Sequence, residues 1–119
     1  MSLRFTEICI DATDPHSLGH WWAEVLGWPS EVSEDGDVEL TPPGGGPTLL
    51  FVPVPEGKSG KNRIHLDFSP DSPDEQQAEV ERLLELGARH VDIGQGEQSW
   101  VVLADPEGNE FCVLSGRNG

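Results

Sequence analysis

One plan occurs twice along this chain, and that duplication constrains its fold more than any other feature. Phe5-Thr6-Glu7-Ile8-Cys9-Ile10-Asp11-Ala12 alternates, with Ile8 and Ile10 on one face and Glu7, Cys9 and Asp11 on the other. A period of two marks a strand with one covered face. Asp14-Pro15 then supplies an N-cap and a proline at the first helical position. Leu18, Trp21, Trp22, Val25 and Leu26 follow at helical spacing, and Gly27 closes the helix in a left-handed cap. From Trp28 to Lys61 the text is turn-rich, with short strands expected around Val38 to Thr41 and Leu49 to Val54 and a loop at Pro42-Pro43-Gly44-Gly45-Gly46-Pro47 between them.

The second copy opens with Arg63-Ile64-His65-Leu66-Asp67-Phe68, which places Ile64, Leu66 and Phe68 on one face and His65 and Asp67 on the other. Ser72-Pro73-Asp74-Glu75 reads as a capping box opening a helix that carries Val80, Leu83 and Leu84 and closes at Gly87. Strands are expected at Arg89 to Ile93, at Trp100 to Ala104 and, after the turn Asp105-Pro106-Glu107-Gly108-Asn109, at Glu110 to Ser115. Each half is thus a strand, a helix, then two or three strands. One such half cannot cover the second face of its own sheet, and two together can.

Length and charge narrow the function. A chain of 119 residues is one domain's worth, and 7 Lys plus Arg against 22 Asp plus Glu give a net charge of −15. So acidic a surface repels phosphate backbones and anionic lipid, which argues against nucleic-acid and membrane partners. With no apolar run of spanning length and no secretory leader at Met1-Ser2-Leu3-Arg4, the expectation is a soluble, cytoplasmic protein. Cys9 and Cys112 are too few and too far apart in sequence for a disulfide scaffold and read as buried free thiols, which could pair only if their strands were adjacent. No nucleophile elbow, phosphate-binding loop or dinucleotide fingerprint is present.

The run from Asp14-Pro15-x-x-Leu18-x-x-Trp21-Trp22 to Val25-Leu26-Gly27-Trp28, the later Asn62-Arg63-Ile64-His65-Leu66-Asp67, Leu86-Gly87-Ala88, and Asp105-Pro106-Glu107-Gly108-Asn109-Glu110-Phe111 occur in one order. In that combination the chain resembles the glyoxalase/bleomycin-resistance/dioxygenase family of the vicinal oxygen chelate superfamily, and more narrowly its small glyoxalase-like domains. The resemblance implies an α+β fold. Two tandem βαβββ modules, about 4–56 and about 62–116 of a single 1–119 domain, would form a curled mixed sheet around a cleft, with helices outside and a homodimer completing it. It also implies that inward-facing strand residues of catalytic relatives hold a divalent metal that chelates neighbouring substrate oxygens. Other relatives bind drugs without catalysis.

Carried over residue by residue, the family's ligand positions fall on Glu7 in the first strand, His65 in the second module and Cys112 in the last strand. The fourth falls near Leu50 or Phe51, neither able to ligate. Glu110 shares the parity of Cys112 two positions earlier, and Asp11 and Asp67 are further carboxylates on the inward faces. Aligning the helix-opening prolines Pro15 and Pro73 pairs His65 with Glu7, whereas aligning Ile10-Asp11 with Leu66-Asp67 pairs it with Cys9; either register keeps the face. A Glu7/His65/Cys112 set would be an open three-ligand site for zinc, nickel, manganese or iron. The incomplete set points instead to a cleft without metal.

Around that cleft the candidate ligand-binding residues are His65 and Asp67, Phe51 and Trp100 as aromatic walls, and Arg63 for an anionic group. Trp21 and Trp22 sit at packing positions, His16, His20 and His90 read as surface groups, and Lys58, Lys61 and Asn62 read as a solvated link between modules. The expected function is small-molecule binding in the cleft. The alternative is a divalent-metal-dependent lyase, isomerase or dioxygenase acting on vicinal oxygens.

Overall fold

The computed structural model describes residues 2–91 and 99–115. The chain is α+β and divides into two compact units, Met1–Gly57 and Lys58–Gly119. Each holds one mixed four-stranded sheet with one α-helix between its first and second strands.

The first unit runs β1 (Glu7–Ala12), α1 (Pro15–Leu26), β2 (Ser30–Val32), β3 (Val38–Leu40) and β4 (Thr48–Pro53), with sheet order β1-β4-β3-β2. β1 lies parallel to β4, and the other neighbours are antiparallel. The Asp14 carboxylate caps α1 by accepting from the Ser17 N–H at 3.1 Å, and Gly27 ends it at φ 70°. Register then sorts the faces. Ile8 stands beside Leu49 and Leu40, and Ile10 beside Phe51 and Val38. A Cβ on Gly19 of α1 would come within 2.5 Å of Val38 Cγ1, so the helix lies on this apolar face, with Leu18 and Trp22 buried. The opposite face carries Glu7, Cys9 and Asp11, next to Leu50, Val52 and Glu39.

Phe51, expected to wall the cleft, is a core residue. It is fully buried and in register with Ile10, on the side that α1 covers. Thr48 to Val52 is apolar at nearly every position, so its parity is set by pairing with β1 and not by its own pattern. β2 was not expected either: it is a three-residue edge strand with Glu31 and Val32 exposed.

In the second unit, β5 (Leu66–Phe68) leads through a 3₁₀ turn (Pro73–Glu75) into α2 (Gln76–Glu85), then β6 (Arg89–His90), β7 (Val101–Ala104) and β8 (Glu110–Val113). The order is β5-β8-β7-β6, with β5 parallel to β8. Leu66, Phe111 and Leu103 share one apolar face with Phe68, Val113 and Val101, and Phe68 meets Phe111 edge-on at 6.0 Å. Val80 and Leu83 of α2 are buried, and the Gln76 amide donates to the carbonyls of Ser99 and Val113, fixing the start of the helix to the end of β8. Asp67, Cys112 and Val102 line the other face with Glu110 and Ala104.

Three expectations change here. The strand expected from Arg63 begins only at Leu66, and Ile64 is 79% exposed instead of joining Leu66 on the apolar face. Its sheet neighbour β8 starts at Glu110, directly after a tight turn, so the ladder offers only one position, opposite His65, before Leu66. The capping box is not formed either. Ser72 Oγ donates to the Glu75 carboxylate at 3.1 Å, the Glu75 N–H bonds the Ser72 carbonyl, and this tight first turn is 3₁₀. Of the strand expected at 89–93, Arg89 and His90 are paired, and Asp92 and Ile93 lie outside the described residues.

Candidate functional site

The chemistry-bearing side chains lie on the face opposite Ile8 and Ile10 in the first sheet and opposite Leu66 and Phe68 in the second; in the second unit Val102, Ala104, Glu110 and Cys112 of that face are buried and Asp67 is exposed. On the second unit, His65 sits one residue ahead of β5. Its Nε2 is buried from solvent and has no hydrogen-bond partner among the described residues. A buried polar atom without a partner costs on the order of 1–3 kcal/mol, so such an atom marks a place where another group is needed. Asp67, two residues on, is exposed and stands opposite Cys112 in the β5–β8 register. The Cys112 thiol donates to the Asp67 carboxylate; burial first, then that carboxylate's charge and hydrogen bond, push its pKa up to about 11. Cys112 is therefore a neutral thiol at physiological pH.

Glu110, reached by the same parity, is 8% exposed with both oxygens engaged. Oε2 accepts from Lys58 Nζ at 2.9 Å and Oε1 from the Asn62 N–H at 2.7 Å. Burial alone would raise its pKa. The Asn62 and Lys58 hydrogen bonds and the charges of Lys58 and His65 oppose burial and hold it below the ordinary carboxylate value. Lys58 and Asn62 were expected in a solvated link, and Glu110 organises both. The signal available in sequence was an acidic residue directly after Asp105-Pro106-Glu107-Gly108-Asn109. Within that turn Asp105 is buried, and its Oδ1 accepts from the N–H groups of Glu107 and Asn109 at 2.9 and 3.0 Å.

On the first unit the open face is acidic around an apolar strand. Cys9 is exposed and its Sγ–H donates to Glu7 Oε2 at 3.4 Å. That hydrogen bond, slight burial and the charges of Glu7, Asp11 and Asp37 raise the Cys9 pKa. Among the ligand-binding candidates, Arg63 is exposed just before β5, and Trp100 is 36% exposed just before β7. His16 and His20 stack on exposed helix surface at 4.4 Å, and His90 is exposed on the edge strand β6.

The donor chemistry can be set against a metal. Among the described residues, no three His, Cys, Asp or Glu side chains stand together as a metal-binding group. Cys112 offers a protonated sulfur already hydrogen-bonded to Asp67, and Glu110 has no free oxygen. Leu50 and Phe51, at the fourth position, carry hydrocarbon side chains. Of the set Glu7, His65 and Cys112, the first belongs to one unit and the other two to the second, and a metal bound by Cys112 would have to displace its proton.

A sequence model of the glyoxalase-like domain matches residues 7–114, nearly the whole chain. The chain belongs to the glyoxalase-like domain family. No curated protein matches this glyoxalase-like chain in sequence. Among solved structures, it is similar to a glyoxalase/bleomycin resistance protein/dioxygenase family enzyme from Burkholderia phytofirmans PsJN, with TM-score 0.76 and 18% identity over 93% of this chain and 97% of that one. It is also similar to the fosfomycin resistance protein FosX from Listeria monocytogenes complexed with Mn(II) and sulfate, with TM-score 0.74 and 15% identity over 98% and 93%. A third similar structure is the oxidase ChaP-H2, with TM-score 0.63 and 17% identity over 100% and 98%. At these identities the likeness is one of fold, and the chemistry of the glyoxalase-like site follows from its own residues.

Proposed function

We propose that this glyoxalase-like chain binds a small molecule without a metal, in the cleft that the family resemblance implies between its two modules, with His65 as the group that orients the ligand. The observation that carries this reading is the buried, partnerless Nε2 of His65. A ligand donor or acceptor placed there would remove the cost of an unpaired buried nitrogen. Asp67, two residues from His65 and exposed, favours a ligand with positive charge. Trp100 and Arg63 are the remaining candidates for its rim.

The alternative is a divalent-metal-dependent lyase, isomerase or dioxygenase, and the Mn(II) held by FosX keeps it in the test. That alternative requires the Cys112 thiol, hydrogen-bonded to Asp67, to give up its proton to the metal. We further propose that the protein acts in the cytoplasm as a homodimer, which light scattering on a sizing column tests. No helix among the described residues is long and apolar enough to cross a membrane.

The test is a thermal-shift screen of small organic cations, neutral molecules and anions against wild type and His65→Ala. Compounds that stabilise wild type and lose most of that effect in the variant support the reading. Compounds that stabilise both equally would remove His65 from the site.

A further inference from the structure

We propose that Glu110 is a positioning residue for His65, acting through the segment 58–62. This rests on the reading of His65 as the ligand-orienting group. His65 lies outside the β-ladder, which begins at Leu66, so strand pairing does not hold its backbone. The residues before it form neither helix nor strand from Lys58 to Ile64, and Ile64 at 79% exposure anchors nothing. What ties this stretch down is Glu110. Its carboxylate receives Lys58 Nζ and the Asn62 N–H, and Lys58 Nζ turns back to donate to the Gly60 carbonyl. Asn62 Nδ2 donates to the carbonyls of Glu110 and Ile64, both at 3.3 Å. The residue three before His65 and the carbonyl directly before it are therefore both fixed to the first residue of β8.

Extending the parallel register one step back from Leu66 and Phe111 sets His65 beside Glu110, and the two interact electrostatically. An ion pair and a hydrogen bond to one half-hidden carboxylate thus replace the missing rung of the sheet. The carboxylate that parity suggests for a metal is committed to the protein's own cation, and its work is to hold the imidazole with Nε2 buried.

Carbethoxylation of histidines by diethyl pyrocarbonate, mapped by peptide mass spectrometry, tests this in the full chain. His16, His20 and His90 are exposed and serve as internal standards. In wild type, His65 should react about tenfold more slowly than these three, as a buried nitrogen reached only through local opening does. Glu110→Ala and Lys58→Met should each raise the His65 rate about fivefold or more with the other three unchanged, and Glu110→Gln, which keeps an acceptor for the Asn62 N–H, should fall between. An unchanged His65 rate in Glu110→Ala overturns the proposal, and so does a parallel rise at all four histidines, which would mean general loosening. Should Glu110→Ala fail to fold, Lys58→Met decides the matter by the same criteria. Failure of the binding reading shows elsewhere, in ligand stabilisation that survives His65→Ala while the carbethoxylation pattern stands.

Discussion

At Cys112 burial and one neighbouring carboxylate set the protonation of the side chain. Its thiol keeps a proton up to about pH 11, because of burial first and then Asp67. The proton is held more tightly in the folded state than in the unfolded chain. The stability it contributes is therefore complete below the ordinary thiol value of 9.0 and is lost as pH rises from there through about 11. In a Cys9→Ser background, Asp67→Asn should lower the midpoint of thiolate absorbance only part of the way towards 9.0, since burial remains. Glu110 has the opposite sign. Its folded-state pKa is depressed, so its contribution is present above the ordinary value of 4.5 and lost as pH falls through the folded value. Lys58→Met should move the acid unfolding midpoint upward, read by circular dichroism; an unmoved midpoint would mean that the ion pair adds nothing. None of this could be read along the chain. His65, Asp67 and Cys112 were visible as chemistry-bearing residues with the right parity, but the partners of Glu110 lie 48 and 52 residues away in sequence.

Among the elements, α1 was legible almost residue by residue, because its signals are local: the Asp14 cap, Pro15 at its first position and the left-handed Gly27. The other boundaries failed where a distant partner decides them. β8, which begins at Glu110, leaves room for only one residue of β5 before Leu66, and Phe51 faces the helix because β4 pairs with β1 in one register. Gly19 shows the same dependence. In an isolated helix Gly19→Ala would gain about 1 kcal/mol. Here the new methyl group would stand 2.5 Å from Val38 Cγ1 and 2.7 Å from its Cβ, so overpacking of about 1–3 kcal/mol outweighs that gain. Chemical denaturation should show Gly19→Ala destabilised, with Val38→Ala in the same chain recovering part of the loss relative to the sum of the two single changes. A stabilised Gly19→Ala would mean that α1 does not lie on β3.

At the scale of the whole molecule, the duplicated plan announced two α+β units, because neither half has the residues to cover both faces of its sheet. Net charge of −15 excludes classes of partner without naming one. If the open faces select a cation, its affinity should fall as salt rises across the range where exposed charges become screened, while a neutral ligand's should not. The ligand itself is not written in the pattern, since one fold serves many chemistries and only side chains on the open faces separate them. Metal-free binding by this family member is tested most directly by elemental analysis of wild type and His65→Ala after equilibration with Mn(II) or Zn(II) and removal of free ions. The expected result is far less than one metal ion per chain in wild type, with no change in the variant. One equivalent in wild type that disappears with His65 would contradict metal-free binding.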